Sequence, residues 1–344
     1  MFNYILPSIF DAVVIFLLVL MIFKIFRIKD PATRFAFLFL PLLKPFIVLL
    51  DNTSTVAQGQ NSSGPESGLG IRMPDPLGFI TAPSTEIGTL IYDHSTLVVA
   101  TLTALIIIFA LLATRWIQLF LFLNKFKKEE PLSKSEHPQL YDIINGLVAK
   151  FKVKHPKLML TKNFHFVPFS IGRRVPIIVL SEDLINTFPK EQLEIMLAHE
   201  LAHIRREDNL TGWVALILRD IMFFNPLAHL VYRMLGEEKE KACDRVALEK
   251  TGISPKVMAN TLLDVAFFYK KARPPQKLLR PVLAKGLLHN RSTLEQRIKS
   301  IAEPITGGKP SKVRTSLKAS LFIFLLYIQI TLTTNIGGQV LFLR

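Results

Sequence analysis

The chain has 344 residues, a mean hydropathy of +0.34 and a formal net charge of +15. That hydropathy argues against an ordinary water-soluble protein and favours one embedded in a membrane. The single cysteine, Cys243, excludes an internal disulfide bond and is typical of a reducing compartment.

The charge is distributed very unevenly along the chain. Residues 125–316 contain 33 Lys and Arg against 20 Asp and Glu, whereas residues 51–94 contain one Arg against five acids. Such a separation is typical of the two sides of a membrane rather than of a nucleic-acid-binding surface. We therefore expect the lipid bilayer to be a partner of the chain and expect no direct binding of nucleic acid.

Four apolar segments predict membrane spans. The first three cover about residues 5–28, 33–50 and 95–123, and the fourth lies within residues 317–344 and is followed by a short tail. The third segment is the clearest, because its apolar part contains no charged residue before Arg115. The sequence therefore predicts an integral membrane protein with four spans.

The second of these segments admits two interpretations. Its apolar part, residues 35–50, contains Pro41 and Pro45 and places Lys44 near the middle, where a charge is costly in a bilayer. We predict a kinked span with Lys44 facing other helices, and a re-entrant loop is the alternative.

Basic residues near the ends of the segments predict the orientation. They are concentrated between the first two segments, after the third and before the fourth, so four spans put all three clusters on one side. The positive-inside rule makes that side the cytoplasm. Residues 125–316 are then cytoplasmic, whereas both termini and the loop 51–94 are extracytoplasmic.

The region between the third and fourth segments has a mixed α/β pattern. Residues 136–153 have the apolar spacing of a helix, and residues 157–185 alternate like strands joined by a turn near Gly172. Pro189 then begins another helix. Residues 210–224 are apolar but contain Arg219 and Asp220, which favours a helix packed against the membrane over a fifth span.

The helix after Pro189 carries the pattern His199-Glu200-x-x-His203. Residues four apart share one face of a helix, so both imidazoles can bind a single metal ion. Glu200 is rotated about 100° from His199, where its carboxylate reaches a metal-bound water instead of the metal. The pattern predicts a zinc site with Glu200 as the catalytic base; two histidines that simply pack in a core are the alternative.

A catalytic zinc needs a third protein ligand, and the helix that follows Asn225-Pro226 offers several acids. Glu240 and Asp244 are four residues apart on one face, which favours Glu240 as the ligand and Asp244 as the residue that orients a histidine through its other ring nitrogen. Glu237 lies on the same side. A solvated acidic face balanced by neighbouring basic residues is the alternative.

The two segments HELAHIRREDNL and NPLAHLVYRMLGEEKEKACDRVAL resemble the BlaR/MecR-type antirepressor membrane metallopeptidases. In that family the Glu of a Glu-x-Ala-Cys-Asp segment is the third zinc ligand, and Glu240 to Asp244 match this segment position by position. The segments VPFSIGRRVPIIVLSEDL and STLEQRIKSI are also similar. The resemblance implies one Zn²⁺ per chain and a gluzincin-like α/β metalloprotease domain at residues 125–316, inserted between spans of a bacterial cytoplasmic (inner) membrane protein.

The resemblance also implies a function. Antibiotic-sensing members carry a penicillin-binding sensor domain after the last span, whereas here only NIGGQVLFLR follows, and we expect no such domain. A signal is then expected to enter through the loop 51–94, the spans, a separate sensor partner or a homodimer. The expected substrate is a cytoplasmic protein, and a DNA-binding repressor is the favoured one. Quality control of membrane proteins, as in HtpX-like peptidases, and a non-catalytic signalling scaffold are the alternatives.

Two further expectations concern the substrate. The strand at residues 175–180 is predicted to pair with an extended peptide. His229, Tyr232 and Arg245 are candidates for stabilising the oxyanion, although each is more often an ordinary packing or surface residue.

Overall fold

The computed structural model of the chain describes residues 2–43, 95–128, 131–161, 168–172, 174–271, 291–303 and 312–339. Over these residues the chain is mostly helical and contains one three-stranded sheet, so the predicted α/β composition is correct in kind although helices dominate. The helices are α1 (Phe2–Ile25), α2 (Pro31–Leu38), a 3-10 turn (Leu40–Leu42), α3 (Ser95–Lys128), α4 (Pro138–Phe151), α5 (Glu182–Thr187), α6 (Lys190–Arg205), α7 (Asp208–Ile221), α8 (Pro226–Thr251), α9 (Pro255–Lys271), α10 (Arg291–Ala302) and α11 (Lys312–Gln339).

The sheet has the order β1-β3-β2, with strands β1 (Lys157–Thr161), β2 (Phe169–Ile171) and β3 (Ile177–Ser181). β1 is parallel to β3, and β2 is antiparallel to it. All five residues of β3 are buried, as expected for a central strand rich in branched apolar residues. Because β1 and β2 pair with the two sides of β3, the prediction that β3 pairs with a substrate is wrong, and β1 and β2 are the edge strands of the described sheet.

The turn between β2 and β3 requires glycine at position 172. Gly172 has a φ of 85°, and a Cβ atom there would clash with the carbonyl oxygen of Val175. This conformation returns the chain directly into β3, which agrees with the predicted strand–turn–strand pattern.

One apolar core joins the sheet to the helices around it. It is formed by α4, β1, β3, α6, the second half of α8, and α9. The sequence explains the two long helices: α6 follows Pro189, and α8 begins at Pro226 with Asn225 accepting a hydrogen bond from the Leu227 amide. α8 ends at Gly252, whose φ of 72° closes the helix.

A second apolar core joins α1, α2, the 3-10 turn, α7, α11 and the first half of α8. The 26-residue helix α8 therefore belongs to both cores. It contributes Ala228, Val231 and Leu235 to the second core, and Cys243 and Ala247 to the first. Helix α8 thus connects the segments that were predicted to lie in the membrane with the region that was predicted to be cytoplasmic.

One helix segment among the described residues is long and apolar enough to cross a bilayer. It covers Leu102–Leu121 within α3, has a mean hydropathy of 2.1 and is 6% buried. Two shorter apolar helices cover Pro31–Leu42 and Ser316–Thr331. The predicted four-span topology stays a prediction, because residues 44–94, which include the loop 51–94 and part of the second segment, lie outside the described residues.

The described part of the second segment is interrupted. α2 ends at Leu38 and is followed by the 3-10 turn at Leu40–Leu42. Pro41 has no amide proton for the bond to Phe37 and its ring crowds that carbonyl, so a regular helix cannot continue through it. Phe37, Leu38 and Leu42 are buried against other helices, as a kinked apolar segment requires.

Candidate metal centre

The two histidines of the predicted motif face each other on α6. The ring centroids of His199 and His203 are 4.8 Å apart and the rings are perpendicular. The His199 side chain is almost fully buried and His203 is only slightly more accessible. Glu200 is also buried, and ligand atoms of the three residues lie within 4.8 Å of one another.

Glu240 of α8 completes this group. Its Oε2 atom is 3.3 Å from Nε2 of His199, and its Oε1 atom is 3.7 Å from Nε2 of His203. Two atoms bound tetrahedrally to one zinc at about 2.0–2.1 Å are themselves about 3.3 Å apart. The structure thus brings together the four residues that the sequence singled out, and the distance between His199 and Glu240 is that of two atoms sharing one ion.

Three buried atoms of this group have no hydrogen-bond partner: His199 Nε2, Glu240 Oε2 and Glu200 Oε2. A buried polar atom without a partner costs about 1–3 kcal/mol. Bound zinc would remove that cost for the imidazole and the Glu240 carboxylate, and a water beside the ion would do so for Glu200. The residues present therefore fit a zinc ion with an open position.

Each histidine is oriented by a carboxylate at its other ring nitrogen. Asp244 Oδ1 is 2.9 Å from His199 Nδ1, where the sequence predicted an orienting residue. Asp208 Oδ2 is 2.9 Å from His203 Nδ1 and was not predicted. A proton held on Nδ1 by these carboxylates leaves Nε2 of both rings free to bind a metal.

Asp208 reaches His203 because the chain changes direction between α6 and α7. α6 ends at Arg205, and Glu207 adopts a left-handed φ of 54° before α7 begins at Asp208. Asp208 therefore lies beside His203 although it is outside the zinc helix. The acidic end of HELAHIRREDNL is the sequence signal that could have identified it.

Cys243 contacts the same pair without being reactive. Its Sγ atom is 3.0 Å from Asp208 Oδ2, to which the thiol donates, and 3.2 Å from His203 Nδ1. Burial raises the pKa of the Cys243 thiol well above its ordinary value, and the neighbouring Asp208 carboxylate acts in the same direction. The thiol thus stays protonated and serves as a hydrogen-bond donor.

Arg297 of α10 is a second residue that sequence reasoning missed. Its side chain is completely buried, and Nε and Nη2 donate to the two carboxylate oxygens of Asp244 at 2.7 and 2.6 Å. Its Nη1 atom is 3.5 Å from Oε2 of Glu240. Arg297 lies in the segment STLEQRIKSI, which resembles the family but has no ligand spacing that would single the residue out.

Charged neighbours shift the pKa values of His199 and Glu240 in opposite directions. Burial by itself lowers the pKa of His199, but Asp244 and Glu240 outweigh it and raise the pKa to about 9. Burial by itself raises the pKa of Glu240, but His199, His203 and Lys239 hold it well below its ordinary value. Glu240 is therefore a carboxylate at neutral pH and is surrounded by positive charge.

The structure places each of the three suggested oxyanion-stabilising residues against another group. His229 forms a hydrogen bond of 3.1 Å with the carbonyl of Phe223, and the Arg219 guanidinium lies 4.4 Å from the centre of the Tyr232 ring. Arg245 is 3.6 Å from Asp30. None of these contacts involves the metal centre.

The chain matches a known protein family. Residues 6–301 match the family described as BlaR1 peptidase M56. The chain belongs to this M56 peptidase family. The matched region includes α6, α8 and nearly all of α10, the helices that carry the histidines, Glu240 and Arg297, so the BlaR/MecR-type resemblance is confirmed.

Individual relatives come from two groups of proteins. The chain is 33% identical over 90 residues to a "Protease HtpX homolog" of Pelotomaculum thermopropionicum, covering 26% of the chain and 32% of the relative. It is 28% identical over 153 residues to a "Protease HtpX homolog" of Pyrococcus abyssi, covering 44% and 52%. It is 22% identical over 202 residues to the "Methicillin resistance mecR1 protein" of Staphylococcus aureus, covering 56% and 33%. The M56 chain thus spans between a third and about half of the length of these relatives.

Proposed function

We propose that the M56 chain is a membrane-anchored zinc endopeptidase in which His199, His203 and Glu240 hold the ion and Glu200 is the catalytic base. The observation that carries the proposal is the convergence of His199 Nε2 and Glu240 Oε2 at 3.3 Å, both buried and without a hydrogen-bond partner. Membership of a peptidase family supports a hydrolytic role for this arrangement.

Two neutral imidazoles and one carboxylate would leave the zinc site with a net charge of +1. Zinc held by such ligands polarises a peptide carbonyl and lowers the pKa of a bound water to roughly 7. Glu200 then has a defined task, because its Oε2 atom is buried beside the histidines and has no hydrogen-bond partner. It accepts the proton that the attacking water gives up and delivers it to the amine that leaves.

β2, at one edge of the described sheet, is the proposed binding surface for an extended peptide. β2 packs against α6, and Asn209 donates a hydrogen bond of 3.2 Å to the carbonyl of Gly172 at the end of this strand. A peptide that adds to β2 would therefore run beside the helix that carries the histidines. Pairing through backbone groups would hold many sequences with little discrimination between side chains.

The proposed substrate is a cytoplasmic protein, and a transcriptional repressor cut during signal transduction is the favoured case. Four spans with residues 125–316 in the cytoplasm are proposed on the distribution of basic residues, and the apolar Leu102–Leu121 segment supports a membrane location. A separate sensor partner or a homodimer would bring the signal to the protein.

Zinc content and proteolysis test this assignment together. The full chain in detergent micelles is compared with Glu200→Gln and Glu240→Ala, using metal analysis and cleavage of a candidate cytoplasmic partner. Glu200→Gln is expected to retain one zinc per chain and lose cleavage, whereas Glu240→Ala is expected to lose both. Wild-type cleavage by Glu200→Gln would contradict the assignment of the base, whereas absence of cleavage by the wild type itself would favour the non-catalytic scaffold.

Quality control of membrane proteins is the second candidate function, because two of the three relatives described above are HtpX homologues. The two candidates differ in the number of substrates. Protein fragments are compared between cells that contain the active chain and cells that contain Glu200→Gln. Regulatory cleavage is expected to give one discrete product that is present only with the active chain. Many products derived from membrane proteins, increasing after heat stress, would favour quality control.

A further inference from the structure

Arg297 reaches the metal centre from a helix outside the two zinc-binding segments. α10 packs on α8 and α9, and Arg297 is the largest fully buried side chain within the described residues. A buried guanidinium costs several kcal/mol unless its charge and its donors are matched. Its matching partners here are the two acids of α8 that face His199.

We propose that Arg297 is a positioning residue of the metal centre, which holds Asp244 and Glu240 in the arrangement that binds zinc. The proposal rests on the assignment of His199, His203 and Glu240 as ligands. It adds a third helix, α10, to the set of elements needed for a complete site.

The contact with Asp244 fixes the orientation of His199. The Arg297 fork donates to both oxygens of Asp244, at 2.7 and 2.6 Å, and this two-point contact prevents rotation of the carboxylate. Oδ1 of the same carboxylate is 2.9 Å from His199 Nδ1. Arg297, Asp244 and His199 thus form a continuous chain from α10 to α6, and the ring can turn only if Asp244 turns.

The contact with Glu240 acts differently. Nη1 of Arg297 is 3.5 Å from Glu240 Oε2, which is too long for a good hydrogen bond, and neither atom has another hydrogen-bond partner. The guanidinium charge therefore attracts the carboxylate toward one side while leaving the lone pairs of Oε2 available to an ion. Lysine cannot reproduce both contacts, because an ammonium group has no planar fork.

Zinc retention tests the proposal in the full chain in detergent micelles. Wild type, Arg297→Lys, Asp244→Asn and the double variant are titrated with a chelator, and Arg219→Lys is the matched control. Arg219 pairs with the buried Asp220 at 2.6 Å in α7, outside the metal centre. Visible absorption of the cobalt-substituted proteins reports the geometry around the ion independently of catalysis.

Arg297→Lys is expected to weaken zinc binding by about 10- to 100-fold and to change the cobalt spectrum, because residues that orient ligands have effects of that size. The double variant is expected to bind zinc nearly as well as Asp244→Asn alone, because both substitutions break the same chain of contacts. Arg219→Lys is expected to match wild type.

Three results would overturn the proposal. One is wild-type zinc affinity in Arg297→Lys. The second is a double variant whose loss of zinc affinity equals the sum of the losses in Arg297→Lys and Asp244→Asn, expressed as free energies of binding. The third is a lower melting temperature with an unchanged cobalt spectrum, which would mean that Arg297 only stabilises the fold. Absence of zinc binding in wild type is a separate outcome that would also overturn the ligand assignment.

Discussion

Arg34 of α2 lies 3.5 Å from the buried carboxylate of Glu238 in α8, two residues before Glu240. The Arg34 guanidinium also lies over the Phe23 ring of α1, 5.1 Å from its centre. The ion pair between Arg34 and Glu238 therefore links α2, a helix of the second core, to α8, the helix that carries the proposed third ligand. A movement of α1 or α2 would reach the metal centre through α8.

Arg34→Ala is expected to lower the stability of the protein and to weaken zinc retention. The substitution leaves Glu238 buried with only Lys241, at 3.1 Å, to offset its charge. The loss is about 1–3 kcal/mol, because Arg34 is itself partly accessible to solvent. Thermal unfolding in micelles and chelator competition measure the two effects.

Arg233→Ala is the control for this prediction. Arg233 is 66% exposed and lies 3.9 Å from Glu237 on the same helix α8, so its loss should have no measurable effect. Equal melting temperatures for Arg34→Ala and Arg233→Ala would show that the buried contact does not matter.

Asp208→Asn is expected to weaken zinc binding by about 10- to 100-fold without unfolding the protein. The amide oxygen of asparagine can still accept a hydrogen bond, but it supplies no negative charge to hold the proton on His203 Nδ1, so the ring loses its preferred orientation. Chelator competition measures the affinity. Asp264→Asn, which removes a surface carboxylate that accepts from Gln192 at 2.8 Å, is the control; a comparable loss in both variants would contradict the role given to Asp208.

Asp30 predicts a dependence of stability on pH. Burial raises the pKa of Asp30, but hydrogen bonds from Thr33 and the charges of Lys318 and Arg245 outweigh it, so the pKa lies below its ordinary value of 3.8. A group with a lowered folded-state pKa stabilises the fold above its unfolded pKa and loses that contribution as the pH falls through the folded value. The stabilisation is therefore complete well above the unfolded pKa of about 3.9 and is lost progressively as the pH falls below that value and through the lower folded-state pKa.

The comparison of wild type with Asp30→Asn isolates this effect. The variant is expected to melt at a lower temperature at pH 7, and the difference should shrink as the pH is lowered from about 4 to 3. Asp142→Asn, at an exposed position on α4, serves as the control. A difference between wild type and Asp30→Asn that stays constant over this range would contradict the predicted direction.

The exposed face of α7 is expected to contact lipid. Leu210, Val214, Ile217 and Ile221 form one stripe along the helix, with exposures of 40% to 50%. Trp213 beside the stripe lies 5.4 Å from Trp116 of α3, the helix that contains the long apolar segment. We therefore expect α7 to lie as an amphipathic helix in the interface of the bilayer.

A nitroxide label attached to Ile217→Cys tests this placement in lipid vesicles. The label should collide more with oxygen than with a water-soluble nickel reagent, because oxygen is enriched in the lipid phase. A label at Val175→Cys, on the turn between β2 and β3, should collide more with the nickel reagent than with oxygen. Val175 is 55% exposed and is predicted to lie on the cytoplasmic side. The same nickel accessibility at both positions would place α7 in water.

The helical part of the site was predictable because it depends on spacing within single helices. His199 and His203 are one turn apart, and so are Glu240 and Asp244, so the sequence alone puts each pair on one face. The starts of α6 and α8 follow from Pro189 and from Asn225-Pro226. The resemblance to a known family then selected Glu240 from several acids that spacing could not rank.

Asp208 and Arg297 could not be found in this way. Asp208 reaches His203 only through the left-handed turn at Glu207, and Arg297 is 53 residues from Asp244 along the chain. No periodicity within one element relates such residues. The same limitation explains the incorrect prediction for β3, because a run of branched apolar residues indicates a buried strand but not which neighbours occupy its edges.

The sequence by itself thus determined the candidate pairs His199/His203 and Glu240/Asp244, because ligand spacing on a helix is a property of the local chain. Only the tertiary structure decided how α6, α8 and α10 approach one another, because that depends on the packing of two apolar cores along α8. This packing brings the Glu240 carboxylate to the two imidazoles and adds Arg297 behind it.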